Sequence, residues 1–396
     1  MKVVVVTSFT PTPENTRGIS GLIYAILKHR PQSVFVKIFS YNFNNISEDV
    51  RRQLEVDLCA DIHLVDKPAW TKLFDNVWMG RFCKFFMKYP LECYMPSKSF
   101  AAMLSSEEAD FIWIYPYFFY KYAKMLPNNR FVVSGCDCEA LIRVRNFDTR
   151  RGLMNKKALR HNYIMLKKGL AFEREWNQPN LQVHFVGMED FNFYERIYGY
   201  NNAHFLLHPH YSLVDKIIDF SKPKLKVIIA GSYDIYMEED VDKMLPNLLK
   251  YREDLLANFE FTVLGKKWGK IQEIFNKNCF PCDFKTWVDD YAAELVSHDI
   301  QLTPISYGTG TKGKVLSALG NGLLVVGSQY AFENICVRNG ESCLMYRKAE
   351  DIASLLLKIA RNKEIFQSVA EKGRLQVRTY HNPVRISKRF FEIYGK

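Results

Sequence analysis

Residues 304–328 read PISYGTGTKGKVLSALGNGLLVVGS, and this stretch decides the fold that we predict for the chain. A strand is predicted to end at its start, and a loop broken by Gly308 and Gly310 follows. A helix is predicted from about Gly313, and Gly322 ends it before a run of leucine and valine resumes. Strand, loop, helix and strand in this order are typical of a parallel α/β sheet.

Short β-branched runs alternate with helical stretches along the rest of the chain, which predicts an α/β fold of doubly wound type. The pattern resets near residues 205–225, which we interpret as a hinge. We therefore predict two Rossmann-like lobes with a cleft between them: an N-terminal lobe over 1–208, a C-terminal lobe over 209–380, and a last helix over 381–396 that returns to the first lobe. The predicted strands are Lys2–Thr7, Val34–Ser40, Asp61–Val65, Phe111–Ile114, Arg130–Ser134, Gln182–Val186, Lys226–Ala230, Phe259–Leu264, Asn278–Phe280, Ile300–Thr303, Leu323–Val326 and Cys343–Tyr346. The clearest predicted helices are Gly18–His29, Tyr163–Glu175, Asp240–Asn258, Thr286–Ser297, Gly313–Asn321 and Ala349–Arg361.

The amino-acid composition limits the kinds of molecule that the chain is expected to bind. The 396 residues carry 54 Lys and Arg against 43 Asp and Glu, a formal net charge of +11. Such an excess favours phosphorylated small molecules, anionic lipid head groups or nucleic acid as partners. Apolar residues make up 48% of the chain, which is enough for two sizeable cores.

The chain is expected in the cytoplasm. The apolar run Val3–Val6 is too short for the core of a signal peptide, and no stretch approaches the roughly 18 apolar residues of a membrane-spanning helix. Nine cysteines are scattered, as free thiols in a reducing compartment would be. A zinc site built from Cys136, Cys138, Cys279 and Cys282 is the alternative, although C-x-C spacing is poor for structural zinc.

The loop before the helix at Gly313 has the chemistry of an anion site. A helix N-terminus exposes backbone N–H groups and the positive end of the helix dipole. Thr309 and Thr311 add hydroxyl donors, and Lys312 and Lys314 add positive charge where a diphosphate would lie. The stretch is not a P-loop, because G-x-x-x-x-G-K-[ST] is absent. An ordinary βα loop with glycines for the tight turn remains the alternative.

This stretch resembles the donor-binding loop and helix of retaining GT-B glycosyltransferases. The residues that carry the resemblance are Gly308, Thr309, Gly310, Thr311, Lys312, Lys314, Ala318, Gly322, Val325 and Val326. Ser317 stands where the family has an acidic residue that holds the ribose of the donor. The resemblance implies transfer of a sugar from a nucleotide-sugar donor to a glycan or lipid-linked acceptor in cell-surface polysaccharide synthesis, with retention and with neither a cofactor nor a metal. In that reaction Lys314 and the loop amides would stabilise the leaving diphosphate.

Further segments match the family in order, and their roles are those that the resemblance implies. Gly231 and Ser232 would line the cleft after the first strand of the donor lobe, and Lys266 would help to grip the phosphates. The segment around Phe284 would contact the nucleobase. The glycine-containing loop after strand one would close over the phosphates, and its matching residues are Gly18 and Gly21.

Asp137 is predicted as a second catalytic residue beside Lys314. It follows a strand and leads into an arginine-rich helix, as an aspartate in the first lobe of the family does. The resemblance implies that it faces the cleft and helps to orient the acceptor or the sugar. An N-cap aspartate that satisfies helix N–H groups is the equally weighted alternative.

Two stretches suggest peripheral contact with the inner face of the cell membrane. Residues 70–94 interleave aromatic residues with Lys and Arg, as an interfacial helix does, and residues 143–174 are rich in basic groups. A helix packed on the first sheet and a solvated helical face are the respective alternatives.

Other functions remain open at this point. His204, His208 and His210 could hold a metal, but satisfied histidines at a hinge are the preferred interpretation, and we predict no metal. A nucleotide-sugar epimerase or phosphorylase could use the same architecture. A non-catalytic scaffold or nucleic-acid-binding protein could use the basic face, although we expect no nucleic acid, and an inactive family member would explain Ser317.

Overall fold

The structure is a computed structural model that describes residues 1–13, 20–74, 76–87, 89–135, 137–150, 152, 154–211 and 213–395. The chain forms two compact units. Unit 1 comprises Met1–Tyr211 together with Pro383–Lys396, and unit 2 comprises Ser212–Asn382.

Unit 1 is built on a seven-stranded parallel sheet. Its strands are β1 (Lys2–Thr7), β2 (Phe35–Ser40), β3 (Asp61–Leu64), β4 (Phe111–Tyr115), β5 (Phe131–Gly135), β6 (Leu181–Phe185) and β7 (Ala203–Phe205). Its helices before the crossing to unit 2 are α1 (Ser20–Lys28), α2 (Glu48–Leu58), α3 (Val77–Phe86), α4 (Lys98–Ser106), α5 (Lys121–Met125), α6 (Glu139–Arg150), α7 (Lys156–Arg174) and α8 (Met188–Tyr198). Short 3-10 helices cover Ala69–Phe74, Leu91–Tyr94 and Tyr117–Phe119. The strand order is β3-β2-β1-β4-β5-β6-β7, and the apolar runs of β4 and β5 are buried throughout because helices cover both faces.

Unit 2 repeats this plan on a six-stranded parallel sheet. Its strands are β8 (Leu225–Ala230), β9 (Phe259–Leu264), β10 (Asp283–Lys285), β11 (Ile300–Thr303), β12 (Leu324–Gly327) and β13 (Leu344–Met345). Its helices are α9 (Glu238–Lys250), α10 (Arg252–Asn258), α11 (Gly269–Lys277), α12 (Tyr291–Val296), α13 (Gly313–Gly320), α14 (Ile352–Arg361) and α15 (Lys363–Tyr380). A short 3-10 helix at Ala349–Asp351 precedes α14. The strand order is β10-β9-β8-β11-β12-β13, and every pairing is parallel.

The last helix, α16 (Pro383–Tyr394), belongs to the core of unit 1. Phe390 is fully buried, and its ring centroid lies 4.4 Å from that of Trp113 in β4. Ser387 donates a hydrogen bond of 2.7 Å to the carbonyl oxygen of Ile26 in α1. The chain therefore returns to unit 1 after it has completed unit 2.

The predicted fold class is confirmed: both units are parallel α/β sheets of Rossmann type. Some local predictions were wrong or incomplete. The predicted strand Asn278–Phe280 is a turn with Cys279 at φ +50°, and the edge strand is β10 at Asp283–Lys285. The predicted helix Asp240–Asn258 is two helices, because Tyr251 leaves helical geometry at φ −98° and ψ 23°. The short strand β7 was not predicted.

Within the described residues, no helix combines the length and the apolar character that a bilayer crossing requires. The eight cysteines that the structure describes are free thiols.

Candidate functional site

The candidate site lies where the sheet of unit 2 reverses its direction of winding. β8 pairs with β9 on one side and with β11 on the other, and the chain then continues outward from β11 to β12. Ligands of parallel α/β sheets bind at such a switch point, in the crevice outside the carboxyl ends of the strands. Here the crevice is bordered by the loop after β8, Gly231–Met237, and by the loop after β11, 304–312.

Gly231 begins the first loop and lies close to a lysine of helix α13. Its φ is +156°, and a Cβ at this position would stand 2.7 Å from the sulfur of Met237. The same point lies 3.9 Å from Nζ of Lys314. Glycine is therefore required here on both conformational and steric grounds, and the ammonium group of Lys314 lies nearby.

The second loop is held in shape by its own lysine. Gly310 adopts φ +68°, which favours glycine. Nζ of Lys312 donates hydrogen bonds of 2.7 Å and 2.9 Å to the carbonyl oxygens of Thr309 and Gly310. The two loops are also joined, because the backbone N–H of Ser306 donates to the carbonyl oxygen of Tyr236 at 2.8 Å. Lys312 thus stabilises the loop, whereas Lys314 faces the crevice floor at Gly231.

Lys314 lies in the first turn of α13, where the helix dipole adds positive potential. The residue is exposed, yet desolvation by the surrounding protein lowers its pKa, and the nearby Asp234 acts in the opposite direction. A partly desolvated cation interacts with an anion more strongly than a cation in free solution does.

The remaining predicted donor residues of unit 2 occupy the same edge of the sheet. Lys266 follows β9 and is exposed, and its carbonyl oxygen accepts the N–H of Tyr233 at 3.0 Å. Ser317 lies one turn after Lys314 on α13 and is half-buried. Phe284 lies in β10, two strands away from β8, and its ring packs 5.9 Å from that of Phe275. Ser232 is half-buried directly after Gly231.

Two residues that hold the loop after β8 in place, Trp268 and Asp234, were not predicted from the sequence. Nε1 of Trp268 donates a hydrogen bond of 2.8 Å to the carbonyl oxygen of Gly231. Asp234 accepts the N–H of Tyr236 at 3.0 Å and so closes the turn after β8. An Asp near a strand end and a Trp before a helix carry no specific signal in a single sequence.

The remaining predicted site residues belong to unit 1. Gly21 is buried in the first turn of α1, and Gly18 lies outside the described residues. Asp137 is half-buried in the loop between β5 and α6.

The loop that carries Asp137 is anchored by two buried carboxylates that sequence reasoning also missed. Asp190 accepts the N–H of Cys138 at 2.7 Å, and Glu173 accepts the N–H of Ala140 at 3.0 Å. Both acids are fully buried. Two N–H groups at the start of α6 are therefore satisfied by these two carboxylates.

The three histidines near residue 208 make local hydrogen bonds or ring contacts. Nδ1 of His208 lies 2.6 Å from the carbonyl oxygen of Pro209, and Nδ1 of His210 lies 2.7 Å from that of Tyr211. The ring of His204 packs 5.6 Å from that of Tyr394. Among the residues that the structure describes, no group of three or more His, Cys, Asp or Glu side chains could hold a metal ion.

Part of the chain is similar to a known protein family. Residues 245–392 match the model of a family described as glycosyl transferase-like, and this range includes α13 with Lys314. The chain has the GT-B fold of glycosyltransferases. The predicted class of enzyme, a glycosyltransferase, is confirmed by this domain and this fold.

Solved structures of the same fold match along nearly the whole chain. HepE from Anabaena, in complex with UDP and glucose, has a TM-score of 0.64 at 9% identity, over 99% of each chain. Sucrose-phosphate synthase from Thermosynechococcus elongatus has a TM-score of 0.66 at 12% identity, over 100% of this chain and 98% of the other. WaaG, a glycosyltransferase involved in lipopolysaccharide biosynthesis, has a TM-score of 0.61 at 13% identity, over 100% of this chain and 99% of the other. A sequence search of the curated proteins finds no match.

Proposed function

We propose that the protein transfers a sugar from a nucleoside-diphosphate sugar to a glycan or lipid-linked acceptor during synthesis of a cell-surface polysaccharide. The observation that carries this proposal is the position of Lys314, which lies at a helix N-terminus and close to Gly231 at the switch point of the sheet. UDP and UDP-glucose in complexes of HepE support a nucleotide-sugar donor, and WaaG supports the kind of pathway.

The chemistry that we propose is stabilisation of a leaving group. The bond between the anomeric carbon and the diphosphate oxygen breaks, and negative charge develops on the diphosphate. The ammonium of Lys314 and the first N–H groups of α13 are fixed near that charge before the reaction begins, so the site does not need to reorganise. Because these groups supply positive charge themselves, we propose that the transfer proceeds without a metal.

The acceptor hydroxyl forms the new bond at the anomeric carbon. In the retaining reaction that we propose, the departing diphosphate takes the proton of that hydroxyl on the same face of the sugar. Asp137, on the loop anchored by Asp190 and Glu173, orients the acceptor or the sugar in this proposal. No covalent intermediate with the protein is required.

The order of strands in unit 2 indicates which residues would contact each part of the donor. Gly231, Ser232 and Lys266 would line the diphosphate, and the end of β10 at Phe284 would lie along the nucleobase. Ser317 would take one hydrogen bond of the ribose, with a neutral hydroxyl in place of the carboxylate that the family uses. We place the reaction in the cytoplasm, at the inner face of the membrane when the acceptor is lipid-linked.

A thermal-shift panel of nucleoside diphosphates tests the proposal. A ligand that binds the folded state alone stabilises it by RT ln(1 + [L]/Kd), which is about 2.7 kcal/mol at a hundredfold excess over Kd. We expect one nucleobase to stabilise unit 2 selectively, and an equal shift in the presence of a metal chelator. If no nucleoside diphosphate raises the melting temperature, the proposed donor site is wrong.

A further inference from the structure

The two strands that border the crevice of unit 2 pair with each other over part of their length. β8 pairs with β11 through two residue pairs, Val227 with Ile300 and Ile228 with Gln301. On its other side, β8 pairs with β9 along all six of its residues. The pairing of β8 with β11 thus ends before either strand does. Sheet hydrogen bonds therefore do not fix the distance between the loops that follow these two strands.

A tyrosine after β13 connects the segments that follow β8 and β11. The hydroxyl of Tyr346 donates a hydrogen bond of 2.5 Å to Oδ2 of Asp240, in the first turn of α9. It also hydrogen-bonds the side chain of Ser328, directly after β12, and the backbone of Ile305, in the loop after β11. Ser328 in turn donates a hydrogen bond of 2.5 Å to the carbonyl oxygen of Ile305. One hydroxyl group thus joins the segments that follow three different strands.

The side chains of this cluster are buried. Tyr346 and Ser328 are 7% exposed, and Asp240 is 9% exposed. Burial of a hydroxyl or a carboxylate costs free energy that hydrogen bonds must offset. The ring of Tyr346 belongs to the apolar core of unit 2, and a phenylalanine ring would fill the same space. Packing therefore does not account for the hydroxyl, whereas the connection between the segments does.

A second connection joins the same two loops where solvent reaches them. The N–H and the hydroxyl of Ser306 donate to the carbonyl oxygen of Tyr236, at 2.8 Å and 2.9 Å. Ser306 is half-buried and Tyr236 is exposed, so water competes for these groups. Hydrogen bonds in the low dielectric of the interior are electrostatically stronger. We therefore expect the buried cluster at Tyr346 to be the stronger of the two connections.

We propose that Tyr346 is a positioning residue for the diphosphate of the donor. Through Ile305 it holds the start of the loop that leads to Lys314, and through Asp240 it holds the segment that follows the loop after β8. The spacing of the two loops is thereby set before a ligand binds, as stabilisation of a leaving group by fixed charges requires. The proposal rests on the function proposed above, because the diphosphate is its ligand.

The variant Tyr346→Phe tests this proposal, because it removes the hydroxyl and keeps the ring. Hydrogen–deuterium exchange of residues 304–312 in the unliganded variant should be faster than in the unmodified chain, because the loop has lost its anchor. Isothermal titration calorimetry should show about tenfold weaker binding of the nucleoside diphosphate that the thermal-shift panel selects, as for loss of a hydrogen bond to a charged group. Binding of inorganic pyrophosphate should weaken by the same factor, because the positioning acts on the diphosphate.

Ile359→Val is a matched control for loss of stability. Ile359 is fully buried in α14 and belongs to the same core as Tyr346, so this variant should also melt at a lower temperature. Well below its melting transition it should keep the exchange of residues 304–312 and the affinity for both diphosphates. Asp240→Asn retains an acceptor for the hydroxyl of Tyr346 and should weaken binding less than Tyr346→Phe does.

Two results would overturn the proposal. The first is unchanged exchange of residues 304–312 in Tyr346→Phe, and the second is affinities of this variant for the diphosphates that equal those of Ile359→Val. If the unmodified chain binds no nucleoside diphosphate, the proposed function is wrong instead. The exchange measurement then still decides whether Tyr346 holds the loop, since it uses no ligand.

Discussion

The backbones of Gly231 and Gly265 touch at the carboxyl edge of the sheet of unit 2. A Cβ on Gly265 would collide with the carbonyl oxygen of Gly231, which also accepts the indole N–H of Trp268. Gly265 itself adopts φ +147°, a region that side chains rarely occupy. Two adjacent strands thus end in a contact that only glycine permits, and this contact fixes the floor of the candidate donor site.

Replacement of Gly265 by Ala should destabilise unit 2 by roughly 3 kcal/mol or more, because neither backbone can move away without breaking the sheet edge. Gly340 provides a matched control, since it adopts φ +78° but has open space where its Cβ would stand. Gly340→Ala should therefore cost about 1–2 kcal/mol from conformation alone. Thermal or urea unfolding of both variants measures the difference, and equal losses would contradict the collision at Gly231.

Replacement of Lys314 by Ala should abolish the thermal shift caused by the nucleoside diphosphate and leave the unliganded melting temperature nearly unchanged. The side chain is exposed and so contributes little to folding, but it carries the charge that faces the crevice. Lys277→Ala, at the far end of α11, removes an equal charge away from the loops and should keep the shift. A shift that survives Lys314→Ala would remove this lysine from the donor site.

Replacement of Asp137 by Asn should lower turnover by about a hundredfold while the donor still binds. The reason is that Asp137 belongs to unit 1 and would position the reactants, and a small misplacement of reacting groups costs about that much. Release of the nucleoside diphosphate in the presence of an acceptor measures turnover, and the thermal shift measures donor binding. Asp148→Asn, an exposed position on α6, is the control. Unchanged turnover in Asp137→Asn would leave this residue without a catalytic role.

The buried Glu173 should make unit 1 less stable as the pH rises. Burial raises the pKa of Glu173 to about 7 from its ordinary 4.5, although hydrogen bonds from Ala140 and Tyr198 partly oppose this. Between those two pH values the folded state binds more protons than the unfolded state, so the free energy of unfolding falls by up to about 3 kcal/mol across the window.

Glu173→Gln should remove this pH dependence, because glutamine is neutral at every pH. We expect similar stabilities for the variant and the unmodified chain near pH 5, and a more stable variant near pH 8, measured by urea unfolding. Glu195→Gln, at an exposed position of α8, should follow the unmodified chain at both pH values. Parallel pH profiles for the unmodified chain and Glu173→Gln would contradict the assignment.

Periodicity and composition were sufficient for the framework of the fold. The strands Lys2–Thr7, Phe259–Leu264 and Ile300–Thr303 were predicted to the residue, because each is a short run rich in β-branched or aromatic residues. Edge elements were harder to predict. The apolar character of Asn278–Phe280 belongs to a turn whose Phe280 packs into the core, while β10 has the polar sequence Asp-Phe-Lys.

The candidate site could be predicted only in part. Gly308, Gly310 and Lys314 follow a pattern within one stretch of sequence. The order of strands is what brings Nζ of Lys314 to 3.9 Å from the point where a Cβ on Gly231 would stand. The carboxylates that anchor the loop of Asp137 come from α7 and α8, which no local pattern connects to that loop. The spacing of aromatic residues in α3 also does not predict which side of the helix faces solvent, and Trp78 and Phe85 are exposed in the structure.

Because α16 supplies Phe390 and Tyr394 to the interior of unit 1, the core of that unit is assembled from residues at both ends of the sequence. During synthesis on the ribosome, residues 212–382 can emerge and complete their own sheet while unit 1 still lacks its final helix. Unit 2 would then complete its fold before unit 1, whereas multidomain chains usually fold from the N-terminal domain onward. Until α16 is synthesised, the ring of Trp113 lacks its contact with the ring of Phe390.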